Sequence, residues 1–203
     1  MKTLTLPLVS GFADIDKFAA AAVDCVQWPE AFPYKPKVKV RVAHDADALL
    51  VRFDVVENGL RAVCTHLNGP VWEDDCVEFF VKTPGSGYYY NFETNCIGIG
   101  LAAKRVSRDE CVHFDDETMA KLGHHSSVPC EPVDLEGEHS WSLELKVPFS
   151  VLDCGPKPEV LEGNFYKCGD KTAVPHFLCW NPIETPKPDF HRPEYFGRLE
   201  LEW

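Results

Sequence analysis

Apolar and polar residues alternate along several short stretches of the chain, and this alternation constrains the fold more than any other feature. In residues 37–42 three valines alternate with three cations, and the pattern returns at Leu49, Val51, Phe53 and Val55 after an Asp-rich turn. Successive side chains of a β-strand point to opposite faces of a sheet, so this spacing is typical of half-buried strands. The two stretches therefore predict a β-hairpin.

Further short stretches predict strands, and 16 prolines and 13 glycines separate them. The predicted strands cover residues 76–82, 88–95, 111–114, 140–147, 164–168, 176–180 and 196–203. Residues 16–23 suggest a helix and residues 148–152 a turn. Short strands joined by turn-forming residues favour an all-β, antiparallel two-sheet β-sandwich with long Pro-rich loops. No linker or repeat divides the chain, so residues 1–203 are expected to form a single domain.

Composition excludes several classes of function. The formal charge is −12, which argues against nucleic acid as a partner, and no apolar stretch approaches the ~20 residues of a membrane-spanning helix. Nine cysteines are widely spaced without a C-x-x-C pair, so they predict reduced thiols rather than a disulfide or zinc framework. With no secretory leader visible, we expect a cytoplasmic protein, or a secreted one if a leader has been removed.

The segment from Gly69 to Val81 contains the first candidate site residues. A turn presents Trp72 and three carboxylates, and a strand follows in which Glu78 lies between apolar neighbours. A carboxylate in such a position needs a partner or a ligand unless that face of the sheet is exposed to solvent. Glu78 is therefore a candidate ligand-binding residue.

A second candidate is Trp180, at the end of a short apolar strand and before a Pro-rich loop. Trp72 and Trp180 both adjoin turn residues, whereas Trp141 occupies an alternating apolar position and is expected in the core. Two exposed indole rings that face each other would suit a sugar, because the C–H faces of a pyranose pack on aromatic rings. This chemistry suggests a saccharide site but does not establish it.

Four segments in combination resemble carbohydrate-binding module family 9, within the broader group of DOMON-like β-sandwiches. They are residues 72–81 (WEDDCVEFFV), 92–95 (FETN), 179–182 (CWNP) and 191–201 (HRPEYFGRLEL). The resemblance covers about residues 38–203 and implies a β-sandwich that binds the end of a glucan or xylan chain without catalysis. It implies that Trp72 and Trp180 are two stacking plates, with Glu78 accepting a sugar hydroxyl between them.

The chain departs from this family pattern at two positions. Glu93 stands where sugar-binding members have an arginine, and Tyr166 follows the strand asparagine where another polar residue is usual. Both are kept as candidate ligand-binding residues, and the sugar preference stays open. The resemblance also implies a structural calcium ion, for which Asp74 and Asp75 offer suitable oxygen ligands, although no cofactor is expected to be required.

Two other functions are compatible with parts of the sequence. Glu78 and Glu93 could form the carboxyl pair of a glycoside hydrolase if they lie on neighbouring strands. A haem-binding DOMON-like domain would need axial ligands, which Met119 and the nearby histidines 113, 124 and 125 could supply. The sequence favours a carbohydrate-binding module whose partner is an oligosaccharide or polysaccharide. Neither nucleic acid nor a membrane is expected as a partner.

Overall fold

The computed structural model describes all 203 residues and contains fourteen β-strands with little helix. The strands are β1 (Thr3–Leu6), β2 (Ala21–Ala22), β3 (Cys25–Val26), β4 (Lys37–His44), β5 (Ala48–Ala62), β6 (Cys76–Lys82), β7 (Tyr89–Asn95), β8 (Gly100–Arg105), β9 (Cys111–His113), β10 (Gly123–Ser126), β11 (Val133–Pro148), β12 (Val160–Cys168), β13 (Phe177–Cys179) and β14 (Gly197–Leu201). The helices are α1 (Phe12–Ile15) and α2 (Asp116–Met119), with 3₁₀ turns at Val71–Glu73, Phe149–Val151 and Pro193–Tyr195.

The strands form two sheets. The nine-stranded sheet has the order β1-β14-β12-β6-β7-β8-β9, and β13 and β3 continue from β12 as a side branch. The five-stranded sheet has the order β10-β11-β5-β4-β2. All strand pairs are antiparallel except β1 with β14. The predicted all-β, two-sheet sandwich is confirmed.

The main hydrophobic core lies between the two sheets. Strand β6 contributes Val77, Phe79 and Val81, each at most 1 % exposed. The Phe79 ring stacks on the Phe165 ring of β12, with the ring centroids 5.0 Å apart. Phe53 of the smaller sheet contacts the Phe165 ring edge-on. Each such side chain contributes roughly 1.5–3 kcal/mol by leaving water. The core thus holds the larger sheet in a fixed position against the smaller one.

The opposite face of β6 is also buried, beneath loops instead of a sheet. Cys76, Glu78 and Phe80 alternate with the core residues and are at most 4 % exposed. They belong to a second apolar layer that includes Tyr89 and Tyr166 from the neighbouring strands. The loops that cover this outer face of the nine-stranded sheet leave a cavity, which is described below.

A buried ion cluster connects the two sheets. Lys167 of β12 places its Nζ 2.8 Å from Glu57 Oε2 of β5 and 3.1 Å from Asp75 Oδ1, and it donates to His176 Nε2 at 2.6 Å. Burial alone would lower the pKa of Lys167, but the two carboxylates outweigh it and raise that pKa. Burial and the lysine charge lower the pKa of His176 to about 3, so its neutral ring accepts a hydrogen bond from Lys167 at Nε2. A buried cation here neutralises carboxylates from both layers of the sandwich.

Several predicted elements agree closely with the structure, and one does not. Strand β6 has the predicted bounds, and the hairpin of β4 and β5 is present with Val42 opposite Val51. The helix predicted over residues 16–23 is wrong. In this region only residues 12–15 are helical, because Ala21 and Ala22 form the edge strand β2 and pair with Val40 and Lys39 of β4. No helix of the structure has both the length and the apolar character needed to cross a membrane.

The prediction that Trp180 is an exposed stacking plate is contradicted by its position. Its side chain is 2 % exposed and belongs to the core between the sheets, where it meets Phe165 edge-on at 5.6 Å. Gly197 of β14 lies directly against the ring, since a Cβ at that glycine would come within 2.6 Å of Trp180 Cη2. The apolar strand that precedes Trp180 continues into the core instead of ending at the surface.

Removing the Trp180 ring should therefore destabilise the protein. We expect Trp180→Ala to lower the free energy of unfolding by about 3–5 kcal/mol, because a large core cavity remains. Trp203→Ala is the matched control, since Trp203 is 39 % exposed and its removal should cost much less. Urea unfolding of both variants measures the difference, and an unchanged midpoint for Trp180→Ala would contradict the core assignment.

Candidate functional site

A cavity of about 430 Å³ opens on the outer face of the nine-stranded sheet. Strands β6, β7, β8 and β12 supply its floor. The walls come from the loops after β8, β12 and β13, from the segments before β4 and β6, and from the start of β13. The lining residues are aromatic, carboxylate, guanidinium and a few others: Phe32, Trp72, Phe177, Phe190, Glu78, Glu93, Asp109, Asp170, Asp189, Arg105, Arg108, Cys168, Pro188 and His191. The volume is within the range of small-molecule sites, which is about 300–1,000 Å³.

Trp72 is the exposed aromatic residue of this pocket, with 38 % of its surface accessible. It lies in the 3₁₀ turn Val71–Glu73, which Val71 anchors by complete burial. The Trp72 carbonyl accepts a hydrogen bond from the Asp170 amide at 3.1 Å, which ties the turn to the end of β12. The backbone is thus fixed while the indole ring stays free to contact a ligand.

Glu78 and Glu93 form the floor of the pocket. They are directly opposite each other in the antiparallel pair of β6 and β7, so their Cβ atoms are about 5 Å apart and both carboxyl groups lie on the same face. Each side chain is 4 % exposed. Cys168 Sγ donates to Glu78 Oε1 at 3.1 Å, and Asn91 Nδ2 donates to Glu93 Oε1 at 2.8 Å. The second oxygen of each carboxyl group has no hydrogen-bond donor from the protein.

The two carboxyl groups hold protons more tightly than ordinary glutamates. Burial raises the pKa of Glu78 well above its usual range, and the neighbouring Glu93 raises it further. Burial also raises the pKa of Glu93 to about 7, although the Asn91 amide and Arg105 both oppose that increase. Two carboxyl groups that are this close together and shielded from solvent do not both ionise readily. The pair can therefore both donate and accept hydrogen bonds near neutral pH.

A polar network supports this floor from the side of β8. Arg105 Nε donates to Asn91 Oδ1 at 2.7 Å, and that asparagine in turn holds Glu93. His191 places its Nδ1 2.9 Å from the Tyr89 hydroxyl, and burial followed by the charge of Arg105 lowers the pKa of His191 to about 3. The histidine is therefore neutral at physiological pH. These contacts fix the orientation of the floor residues before any ligand binds.

The structure brings together three of the five residues predicted from the sequence. Trp72, Glu78 and Glu93 line one pocket, whereas Trp180 lies in the core on the other side of the sheet. Tyr166 is fully buried beneath the pocket, where its ring stacks on Phe190 at 4.3 Å and its hydroxyl donates to the Phe190 carbonyl. Tyr166 thus supports a lining residue and does not itself line the cavity.

Most of the residues that form the pocket walls were not predicted from the sequence. Arg105 could have been found, because it shares the period-two pattern of β8 with Leu101 and Ala103, all on the outer face. Asp170, Asp189 and the phenylalanines of the walls lie in or beside loops. Loop side chains have no periodicity to reveal their direction, so no signal in the sequence placed them near Trp72.

Asp74 and Asp75 do not fit the role of calcium ligands. The Asp74 carboxylate accepts hydrogen bonds from Arg61 and from the amides of residues 63 and 64. One oxygen of Asp75 meets Lys167, and the other accepts the Arg61 amide proton at 2.7 Å. Calcium requires six to eight free oxygen ligands. In this chain protein donors already occupy these carboxylates, and Lys167 supplies the positive charge.

Cys76, Glu78 and Cys168 form another group with the chemistry of metal ligands, with ligand atoms within 4.8 Å of one another. Burial raises the pKa of the Cys76 thiol to about 12 and that of Cys168 well above its usual range. Both sulfurs are therefore protonated thiols, which suits the donation of Cys168 to Glu78. Met119, a candidate haem ligand, is buried in the main core at 4 % exposure.

Comparisons with solved structures support the fold. A protein from Bacteroides uniformis ATCC 8492, described as a candidate carbohydrate-binding protein, is 36 % identical over 99 % of both chains, with a TM-score of 0.92. A carbohydrate-binding module of family 9 from Caldicellulosiruptor kristjanssonii matches in complexes with cellotriose and with glucose. Both complexes have a TM-score of 0.62 at 11 % identity, cover 99 % of this chain, and are covered over 94 % and 96 % of their own lengths.

The sequence itself matches a family model over nearly its whole length. No curated protein matches the chain. The model described as carbohydrate-binding family 9 matches residues 9–201. The expected resemblance is thus confirmed, and the chain belongs to carbohydrate-binding family 9.

Proposed function

We propose that the pocket binds the terminal sugar of a glucan- or xylan-type oligosaccharide or polysaccharide, with Trp72 as its stacking surface. The observation that carries this proposal is the placement of an exposed indole and two buried carboxyl groups in one preformed cavity. An indole offers a flat apolar face to the C–H groups of a pyranose, and the carboxyl groups exchange hydrogen bonds with its hydroxyls. The cellotriose and glucose complexes of the related module support this choice of ligand.

We propose that phenylalanine side chains of the same pocket take the place of the second tryptophan. Phe32 and Phe177 contact each other edge-on with ring centroids 4.8 Å apart, and both line the cavity. Phe190 continues this wall and is held in place by Tyr166. A sugar would therefore lie between one tryptophan and a group of phenylalanine side chains. Such shallow sites give modest affinity, with dissociation constants on the order of micromolar to millimolar.

Removing the Trp72 ring tests this assignment. We expect Trp72→Ala to weaken binding of cello-oligosaccharides at least tenfold, or to abolish it, while the melting temperature changes little because the ring is exposed. Trp203→Ala is the matched control, since the Trp203 side chain is equally exposed and lies outside the pocket. Isothermal titration calorimetry measures both. Unchanged affinity in the Trp72 variant, or an equal loss in the control, would refute the proposed site.

We also propose that the protein binds sugar without cleaving it. A glycoside hydrolase places its two carboxyl groups on either side of the scissile bond, about 5 Å or 6.5–9.5 Å apart. Glu78 and Glu93 instead project from adjacent strands on the same sheet face, so both approach a ligand from below. The geometry therefore supports hydrogen bonding from one side more than acid–base catalysis across a bond.

The absence of catalysis has a direct test. Prolonged incubation with β-glucan and xylan oligosaccharides is expected to release no new reducing ends above a blank without protein. If reducing ends appear, the Glu78→Gln variant tells whether the activity belongs to this pocket. Loss of that activity in the variant would support the hydrolase alternative and contradict the binding-module proposal.

The protonation of the carboxyl pair generates a further prediction. Glu93 has a pKa near 7 in the folded protein and about 4.5 when unfolded, so the folded state binds more protons between these values. Stability is then lost as the pH rises through 7, by up to about 3 kcal/mol. Glu93→Gln cannot ionise, so we expect its stability relative to the wild type to be higher at pH 8 than at pH 5, as measured by urea unfolding.

Glu117→Gln provides the control for this pH experiment. The Glu117 side chain is 85 % exposed on α2, and its removal should give the same small effect at both pH values. A constant difference in unfolding free energy between Glu93→Gln and the wild type across this range would show that Glu93 titrates normally.

A further inference from the structure

The pocket carries an excess of acidic groups. Five of its lining side chains are carboxyl groups: Glu78, Glu93, Asp109, Asp170 and Asp189. Only two lining side chains are cationic. A neutral sugar can donate hydrogen bonds to carboxyl groups, but it brings no positive charge to compensate those that ionise. The imbalance therefore calls for an account of where the compensating positive charge comes from.

The two cations of the pocket do not neutralise its floor. Arg105 donates from Nε to Asn91 Oδ1 and from Nη1 to the Arg108 carbonyl, both at 2.7 Å. Arg108 lies at the rim, with Nη1 3.9 Å from Asp189. No lysine, arginine or histidine nitrogen forms an ion pair with Glu78 or Glu93 within 4 Å. The floor carboxyl groups thus form no ion pair with the protein, and the charge of Arg105 acts on Glu93 only from a greater distance.

Each floor carboxyl group also has a free oxygen directed to the cavity. Glu78 Oε1 and Glu93 Oε1 each accept one hydrogen bond, from Cys168 and Asn91, and the second oxygens accept none. Both side chains are more than nine-tenths buried, and their remaining exposure is to the pocket that they line. Carboxyl oxygens at the floor of a pocket bind solvent or a ligand, so these two oxygens are the acceptors that the pocket offers to a ligand donor.

An ammonium group fits this pair better than a hydroxyl group. A hydroxyl donates one hydrogen bond, whereas an ammonium donates three and carries a full positive charge. Charge-assisted hydrogen bonds are about twice as strong as neutral ones, and the buried setting strengthens the attraction. An ammonium could therefore bridge Glu78 and Glu93. The exposed Trp72 ring lines the same pocket and offers a surface for the sugar ring, and Cys168 links the Trp72 carbonyl to the Glu78 carboxyl group.

We infer that the pocket selects an amino sugar with a free ammonium group, which bridges Glu78 and Glu93 while the sugar ring rests on Trp72. This inference rests on the proposed saccharide site and names the class of sugar that it prefers. Acylation of the amino group removes both the charge and two of the three donors, so an N-acetylated sugar should lose the preference.

Calorimetric titration of the intact protein with glucosamine, glucose and N-acetylglucosamine at neutral pH tests the inference. We expect glucosamine to bind at least tenfold more tightly than the other two sugars, and this advantage should shrink as sodium chloride is added. Equal affinity for glucosamine and glucose would overturn the inference but leave the saccharide site standing. If none of the three sugars binds, both the inference and the proposed function fail.

Variants of Glu78 and Glu93 test whether these two residues cause the preference for glucosamine. In the double variant Glu78→Gln and Glu93→Gln, the advantage of glucosamine over glucose should disappear, whereas Glu117→Gln should retain it. If the double variant does not fold, the salt dependence and the N-acetylglucosamine comparison in the wild type still decide the outcome. Titration with calcium chloride alone covers a metal alternative, and tight calcium binding that glucosamine cannot displace would contradict the inference.

Discussion

The structure depends on strand β6, which is buried on both faces. One face packs Val77 and Phe79 into the core between the sheets, and the other places Glu78 beneath the loops. A strand in the middle of a sheet cannot shift by one residue without exchanging these two sets of side chains. Because β12 and β7 pair with β6 on its two sides, the same register places Glu93 opposite Glu78 and Cys168 diagonally across from it, within hydrogen-bond distance. Core packing thus determines the position of the pocket floor.

The two clusters of buried carboxyl groups differ in whether a cation of the protein compensates their negative charge. Between the sheets, Lys167 compensates Glu57 and Asp75, and the cluster is closed to solvent. On the outer face, Glu78 and Glu93 have no such cation and are accessible through a cavity. Burial raises the pKa of Glu78 and Glu93, and it also raises that of Glu57 to about 7 despite the nearby Lys167, so access through the cavity is what separates the two clusters. The open cluster is therefore the one suited to an external ligand.

The sequence predicted the sheet architecture better than it predicted the pocket. Alternation located β6 and assigned Glu78 to the face opposite Phe79, because one face of each strand is apolar. It failed at residues 16–23, where alanines with high helix propensity add to a sheet edge instead. It also failed at Trp180, because an aromatic residue at a strand end has the same pattern whether its ring faces the core or the solvent. The pocket walls come from loops, whose side-chain directions are set by tertiary packing.

The contact between Trp180 and Gly197 has a consequence for how this chain can diverge. A methyl group at position 197 would occupy the volume of the indole ring, so an alanine there requires a smaller residue at position 180. A larger residue at position 197 is therefore accommodated only after Trp180 has been replaced. Trp180 and Gly197 lie in residues 179–182 and 191–201, which are two of the four segments that resemble the family. Because both residues belong to the core packing, a match over these two segments indicates the shared β-sandwich scaffold. It carries no information on whether a related protein binds a sugar.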